Sequence, residues 1–371
     1  MCSMSENPEK VNLQDLTFRE LTEFVGTLGA TANQATELWR CLYRRFQTDF
    51  DDMTGLGASL QGRLSESARF TVLELLEEAV SADGLTTKVL FRLEDGKTIE
   101  AALMLFNNQG NGRERRTVCV SSQVGCPIGC RFCATGQQGF ERNLSPGEIV
   151  AQLLYFIRRL ENESVRAETT EPHYKATNVV FMGMGEPLAN YENVRSAIDI
   201  IGSPKGLNMG LRQITLSTAG MVPEIQRLAR ENVPCQLALS LHAATDELRQ
   251  QLVPLTRKYP LQELIAACRE YSAQTRRHVY IEYALFNGIN DSPEDADKLI
   301  ELLGQGDFPI NLIPCNITPG KNGFGPSPVE KAHAFQKRLI AGGIRAMLRV
   351  SRGSDIDAGC GQLKSRCQDN R

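Results

Sequence analysis

The sequence predicts an α/β fold in which parallel strands wind into a partial (β/α)6 barrel, preceded by a small N-terminal helical domain and a short β connector. Three observations predict it. From residue 117 onward, short apolar runs alternate with helical stretches, at residues 117–121, 178–182, 213–217, 236–241, 279–286, 311–315 and 346–350. Alternating strand and helix units with short apolar strands specify a parallel sheet, and six or more specify a barrel. Helix starts are marked by Ser145-Pro146, Ser292-Pro293 and Ser327-Pro328, which set Ser at the N-cap and Pro at the first helical position, and Glu148 and Glu330 complete two capping boxes. Polar and glycine residues follow the strand-like runs, on the rim where barrels carry function. An open doubly wound sheet is the alternative.

The chain divides as residues 1–70, helical; 71–111, β connector; 112–355, barrel; and 356–371, a C-terminal segment. Residues 1–10 are polar, and order begins near Leu13. Thr17 and Glu20 form a capping box, and Leu21, Phe24, Val25 and Leu28 recur at helical spacing after it. A second helix carries Ala35, Leu38, Trp39, Leu42 and Phe46 on one face, with Arg40, Arg44 and Arg45 elsewhere. Those arginines read equally as a solvated face or an RNA patch. A third short helix spans 54–70. Alternating runs at 71–76, 86–92 and 98–106, with a turn at Glu94-Asp-Gly-Lys97, make the connector. The polar, glycine-bearing stretch 107–116 is a loop and a domain boundary.

Composition limits the class. With 371 residues, 42% hydrophobic and 23% charged, the chain reads as globular, and no run of eighteen apolar residues spans a membrane. A net charge of -3 gives no global basic field, so an RNA partner needs local patches. There are 11 cysteines and no apolar leader near the N-terminus, which places the chain in the reducing cytoplasm with its thiols free.

Three of those thiols fall within Cys126-Pro-Ile-Gly-Cys130-Arg-Phe-Cys133. CxxxCxxC spacing lets each thiolate hold one iron of a cubane and leaves the fourth iron open to a small molecule. Structural zinc wants a fourth Cys or His close by, and His173, His242, His278 and His333 are remote in sequence. After the later strands come Gly183-Met-Gly-Glu186, Ser217-Thr-Ala-Gly220, Ser240-Leu-His242 and Asn316. Taken singly, Gly183 and Gly185 read equally as turn residues, and His242 as a structural histidine.

The open-iron motif on the first strand-end loop resembles the radical S-adenosylmethionine superfamily, which makes the expected fold a radical-SAM barrel. The longer string Cys119-Val-Ser-Ser-Gln-Val-Gly-Cys126, with Phe132-Cys-Ala-Thr-Gly136 and Gln138-Gly-Phe-Glu-Arg-Asn-Leu144, resembles the RlmN/Cfr family of RNA adenosine methyltransferases. So do Met182-Gly-Met-Gly-Glu-Pro-Leu188, Leu216-Ser-Thr-Ala-Gly220, Ser240-Leu-His-Ala243, Ile281-Glu-Tyr283 and Arg352-Gly-Ser-Asp-Ile-Asp-Ala-Gly-Cys-Gly-Gln-Leu363. The resemblance covers nearly the whole chain and lies closer to RlmN.

It implies one 4Fe-4S cluster on Cys126, Cys130 and Cys133, and two S-adenosylmethionine molecules per turnover. Gly185, Glu186, Ser217, Ser240, Leu241, His242 and Asn316 would contact the S-adenosylmethionine. Cys360 would carry a methyl, Cys119 would resolve the RNA adduct through a transient disulfide, and Glu100 would accept a proton. Cys367, seven residues past Cys360, is a competing carrier. The implied substrate is C2 of adenosine in large-subunit rRNA, and tRNA in members that act on both. Methylation of C8, as in Cfr, and a non-catalytic iron-sulfur protein that binds RNA or senses redox state are the alternatives. Arg113, Arg115, Arg116, Arg131, Arg142, Arg349 and Arg352 would meet phosphate. Flavodoxin or ferredoxin would supply electrons to a monomer.

Overall fold

A computed structural model describes residues 10–106, 114–166, 176–233, 235–304, 308–316, 323–349 and 352–364. In chain order, β1 (Val11–Asn12) precedes α1 (Phe18–Thr27), α2 (Ala32–Tyr43) and α3 (Ala58–Ser67), and β2 (Ala68–Arg69) follows. The strands β3 (Glu74–Val80), β4 (Thr86–Arg92) and β5 (Thr98–Phe106) lead to β6 (Arg115–Cys119). Next, β7 (Gln123–Gly125) and β8 (Phe140–Asn143) flank α4 (Ala134–Gln138). The alternation then runs α5 (Pro146–Arg166), β9 (Asn178–Phe181), α6 (Tyr191–Gly202), β10 (Ile214–Thr218), α7 (Val222–Arg230) and β11 (Gln236–Ser240). It continues through α8 (Asp246–Leu252), α9 (Leu261–Thr275), β12 (Val279–Leu285), α10 (Pro293–Leu303), β13 (Ile310–Pro314), α11 (Val329–Ala341) and β14 (Ala346–Leu348).

Among the described residues the chain forms two compact units. One gathers residues 10–73, 145–166 and 192–210, and the other 74–144, 176–191 and 211–364. The grouping is not linear in sequence: α5 and most of α6, from the 112–355 segment, join the N-terminal helices. Local contacts explain this. The Gly147 N–H donates to Asp15 at 2.8 Å, and a Cβ at Gly147 would lie 2.4 Å from the Thr71 hydroxyl. Thr17 and Glu20 form the capping box of α1, worth about 1 kcal/mol. Trp39 on α2 is fully buried, edge-on to Phe18 at 5.4 Å. Arg40 on α2 and Arg45 just past its end pair with Glu37 at 3.9 and 2.7 Å, so part of the arginine charge is neutralised locally.

The second unit is organised on one ten-stranded sheet in the order β14-β13-β12-β11-β10-β9-β6-β5-β4-β3. From β6 to β14 every pairing is parallel and spatial order follows chain order. A doubly wound sheet needs a reversal of strand order, and none occurs here. Alternate residues of β6 (Thr117, Cys119), β12 (Tyr280, Glu282) and β14 (Met347) line one cavity, so the sheet curls round a common lumen. The barrel is open, since its ends continue or stop instead of pairing with each other. The connector is not separate: β5 pairs antiparallel with β6, placing Ala102 opposite Cys119, and extends the same sheet.

One helix start differs from expectation. Ser145 caps α5 and exchanges hydrogen bonds with Glu148 as read. Ser327 does not cap α11: its hydroxyl donates to Asp291 at 2.7 Å, and Pro328 takes the cap position without a side-chain bond. A buried carboxylate outcompetes the helix end for that hydroxyl.

Candidate active site

The cysteine loop leaves the C-terminal side of β6 and is closed at its base by the antiparallel pair β7 and β8. Gly125 makes that closure possible. It sits at φ +74°, and a Cβ there would lie 1.9 Å from the Gly139 carbonyl oxygen. Cys126, Cys130 and Cys133 line one wall of a cavity of about 170 Å³, shared with Gly185, Glu186, Ser217, Ser240, His242, Asn316 and Cys360. Burial raises the Cys126 thiol to about 12 and Cys130 well above its usual value, so a positive charge would be needed to hold them as thiolates. Among the described residues no three metal-binding groups converge on a single ion position. Three thiols of one loop lining one cavity are the donor set of a cluster held by three protein ligands.

Glu186 faces those thiols. It is almost fully buried, and its oxygens accept from the Leu188 N–H at 3.0 Å and the Ala219 N–H at 2.7 Å. Burial nonetheless raises its pKa to about 7, against the lowering effect of those bonds. A desolvated carboxylate with neutral partners is complementary to an ammonium group. This fits the methionine amine of S-adenosylmethionine, beside thiols that fit a 4Fe-4S cluster. Gly185 brings the backbone close at φ +103°, where a Cβ would strike Gln123 at 2.6 Å.

Ser217 and Ser240, at the ends of β10 and β11, lie with their hydroxyl oxygens 3.3 Å apart. His242 holds φ +61° and its Nδ1 accepts from the Ala284 N–H at 3.0 Å, which puts the ring proton on Nε2. Burial, reinforced by Arg249, lowers its pKa to about 3. Leu241 lines neither cavity: its side chain is buried, its N–H donates to the Glu282 carbonyl and its carbonyl accepts from Arg249.

A second cavity of about 660 Å³ occupies the lumen. Cys119 and Cys360 both line it, and Cys360 lines the first cavity as well. All nine described cysteines are free thiols, while Cys2 and Cys367 lie outside the described residues. Cys360 opens to solvent, yet crowding by surrounding protein raises its thiol to about 11; Glu282 adds to the rise and Arg349 opposes it. Its segment is strapped at several points. Asn316 Nδ2 donates to the Cys360 carbonyl at 3.3 Å, and the Ala134 N–H to the Gly361 carbonyl at 2.8 Å. The Thr135 hydroxyl donates to the Leu363 carbonyl at 2.7 Å.

Glu100 lines neither cavity. It is buried, its carboxylate meets Lys88 Nζ at 3.2 Å, and it accepts the Lys364 N–H at 2.7 Å. The arginine set divides. Arg115, Arg349 and Arg352 line the lumen cavity, with the Arg115 and Arg352 guanidinium groups over the Phe106 ring at 4.1 and 4.7 Å. Arg116 pairs with Glu114 and Arg142 with Asp95, and Arg113 lies outside the described residues.

Sequence reasoning missed Arg249. In Asp246-Glu-Leu-Arg249 it reads as part of a solvated helix, yet it is fully buried. It donates to the carbonyls of Leu241, Ser240 and Ala219 and to the Thr256 hydroxyl. It therefore ties together the loops after β10 and β11 that carry the cavity's polar wall. Nothing in its local pattern signals that role.

A parallel partial barrel with three loop thiols and a buried carboxylate on its C-terminal rim defines a radical S-adenosylmethionine protein, and the model of the Radical SAM superfamily matches residues 120–303. That of the Ribosomal RNA large subunit methyltransferase N-terminal domain matches residues 11–70. The Dual-specificity RNA methyltransferase RlmN 1 of Myxococcus xanthus is 47% identical over 95% of this chain and 94% of its own length. A Probable dual-specificity RNA methyltransferase RlmN of Moorella thermoacetica is 44% identical over 96% of this chain and 97% of its own. The crystal structure of a radical SAM methyltransferase from Sphaerobacter thermophilus superposes with a TM-score of 0.87 at 45% identity, covering 96% of this chain and 100% of that one. The chain belongs to the RlmN family.

Proposed function

We propose that this protein methylates C2 of an adenosine in the peptidyl-transferase region of 23S rRNA, and of an anticodon-adjacent adenosine in tRNAs, through a methyl carried on Cys360. The observation that carries this reading is that Cys360 borders both cavities. It lines the first cavity together with Cys126, Cys130, Cys133 and Glu186, and the lumen cavity together with Cys119. A carrier must reach the methyl donor and the acceptor in turn, and no other described cysteine borders both spaces.

The aromatic carbon C2 is not nucleophilic, so simple displacement on a sulfonium methyl cannot reach it. Cys360 first loses its proton and takes the methyl of one S-adenosylmethionine. Bound on Cys126, Cys130 and Cys133, a 4Fe-4S cluster would supply the electron that cleaves a second S-adenosylmethionine to a 5'-deoxyadenosyl radical. Gly185, Glu186, Ser217, Ser240, His242 and Asn316 hold that molecule, and Leu241 contributes through its position in the same loop. The S-methyl of Cys360 gives a hydrogen atom to the 5'-deoxyadenosyl radical and its carbon adds to C2, and the resulting base radical would return one electron to the oxidised cluster. Glu100, reached through the segment it anchors, accepts the C2 proton. Cys119, as its thiolate, then attacks the Cys360 sulfur and breaks its bond to carbon; the released carbon takes up a proton to become the methyl group, and a disulfide is left for reduction. Arg115, Arg349 and Arg352 meet the RNA backbone. Flavodoxin or ferredoxin serves as electron donor, and the enzyme works as a cytoplasmic monomer; no described helix is long and apolar enough to cross a membrane.

Nucleoside mass spectrometry of RNA from a deletion strain and its complemented counterpart tests this. It should find 2-methyladenosine restored by the gene; 8-methyladenosine in its place would overturn the assignment of the ring carbon.

A further inference from the structure

We propose that Glu282 reads the Watson–Crick edge of the target adenine, with Asn311 setting the polarity of its carboxyl group. The inference rests on the reading of the substrate as an RNA adenosine.

Glu282 sits on β12, where it lines both cavities and is only 9% exposed. Its Oε1 accepts from Asn311 Nδ2 at 2.8 Å, and the charge of Arg349, which lines the same lumen cavity, acts on the carboxyl group. Asn311 is itself 1% exposed, and its Oδ1 has no partner among the described residues. Facing a carboxyl oxygen, the amide must present its NH2, which fixes its orientation. Asn311 Oδ1 is a buried acceptor beside a carboxyl group that borders both cavities, and buried polar atoms of this kind are costly unless a ligand completes them. Burial raises the Glu282 pKa, against the lowering effects of the Asn311 hydrogen bond and the Arg349 charge.

Asn311 occupies a lone pair of Oε1 and so marks that atom as the acceptor; when the carboxyl group takes up a proton on binding the base, Oε2 carries it. Such a group matches adenine along one edge: Oε1 accepts from the exocyclic N6–H while Oε2–H donates to N1. Guanine offers O6 and N1–H in the reverse order and sets acceptor against acceptor. The chosen edge also fixes which carbon reacts. Glu282 contributes to the pKa shift of Cys360 and lines the same walls, so the two groups are neighbours. C2 adjoins N1, whereas C8 adjoins N7 on the other edge. Docking N1 and N6 on Glu282 therefore turns C2 toward the carrier.

The test uses the cluster-loaded enzyme without S-adenosylmethionine and synthetic RNAs bearing adenosine, 1-deazaadenosine or 7-deazaadenosine at a position the wild type methylates. Affinity is read by fluorescence anisotropy. Wild type should bind the 1-deaza RNA about tenfold to a hundredfold more weakly than the adenosine RNA, the scale of one buried hydrogen bond lost. The 7-deaza RNA should bind like adenosine. Glu282→Gln, whose amide can donate to N1 and accept from N6–H, should keep most of the affinity and the discrimination. Glu282→Ala should bind all three RNAs alike. Equal wild-type binding of adenosine and 1-deazaadenosine, or discrimination that survives Glu282→Ala, would overturn the proposal. So would rejection of the 7-deaza RNA instead. S-methylation of Cys360 and formation of 2-methyladenosine are scored on a second aliquot of that preparation, given S-adenosylmethionine and a reductant. Their loss would sink the parent reading as well, whereas lost base discrimination with both intact sinks this proposal alone.

Discussion

The backbone N–H of Lys364 donates to the Glu100 carboxylate at 2.7 Å, so a connector strand holds the segment that bears Cys360 four residues earlier. The other Glu100 oxygen meets Lys88 at 3.2 Å in a site from which both side chains are almost wholly excluded from solvent. Lys88 also donates to the Asp357 carbonyl at 3.3 Å. Glu100 thus has a structural duty independent of any proton it accepts.

Removing one member of that buried pair strands the other. Glu100→Ala should lower unfolding stability by about 3–5 kcal/mol in urea titrations. Glu100→Leu combined with Lys88→Met should recover much of that loss while remaining inactive on RNA. Equal instability of the single and double variants would argue that the ion pair is not what holds the segment.

Glu186 sets a pH dependence whose sign follows from its pKa near 7 against 4.5 in the unfolded chain. The folded state binds this proton more tightly, so its contribution is fully present below about pH 4.5 and is lost as pH rises through about 7. The cluster-free protein should lose about 3 kcal/mol of stability across that window from this group. Glu186→Gln should flatten the profile; an unchanged slope would show the carboxyl to be solvated.

His242 combines a left-handed backbone with an acceptor for the Ala284 N–H. Asn tolerates φ near +60° and can present an oxygen near the Nδ1 position, whereas Ala does neither. His242→Ala should cost about 1–3 kcal/mol for the stranded N–H, and His242→Asn clearly less. Thermal unfolding of the two variants decides this, and identical losses would contradict the assigned bond.

Arg115, Arg349 and Arg352 crowd one cavity wall, and their mutual repulsion adds to burial in lowering the Arg115 pKa. If they grip RNA phosphates, each Arg→Gln change should reduce the slope of log affinity against log salt by about 0.7–0.9. A slope that does not move would place the RNA backbone elsewhere.

The strand-like runs were legible as short apolar stretches alternating with helical ones, and each strand of the barrel lies within two residues of its predicted place. The first connector run was not: expected at 71–76, the strand occupies Glu74–Val80, a sheet edge whose mostly exposed residues carry little hydrophobic signal. The cysteine loop, Gly185 and Glu186 could be read because their chemistry depends on residue type at fixed spacing. Arg249 and the Asn311–Glu282 pair could not, because their roles arise only when loops or strands distant in sequence meet. Glu100 shows the same limit from the other side. Its residue type suggested a proton acceptor, and only the fold revealed its ties to Lys88 and Lys364.

The account turns on Cys360 as a methyl carrier. Peptide mass spectrometry of the anaerobically prepared enzyme, with its cluster reconstituted and S-adenosylmethionine added, tests this most directly. The account predicts a single methyl on the peptide containing Cys360 and none on that peptide in Cys360→Ala. An unmodified Cys360 in the presence of an intact cluster, or a methyl that persists in Cys360→Ala, would contradict it.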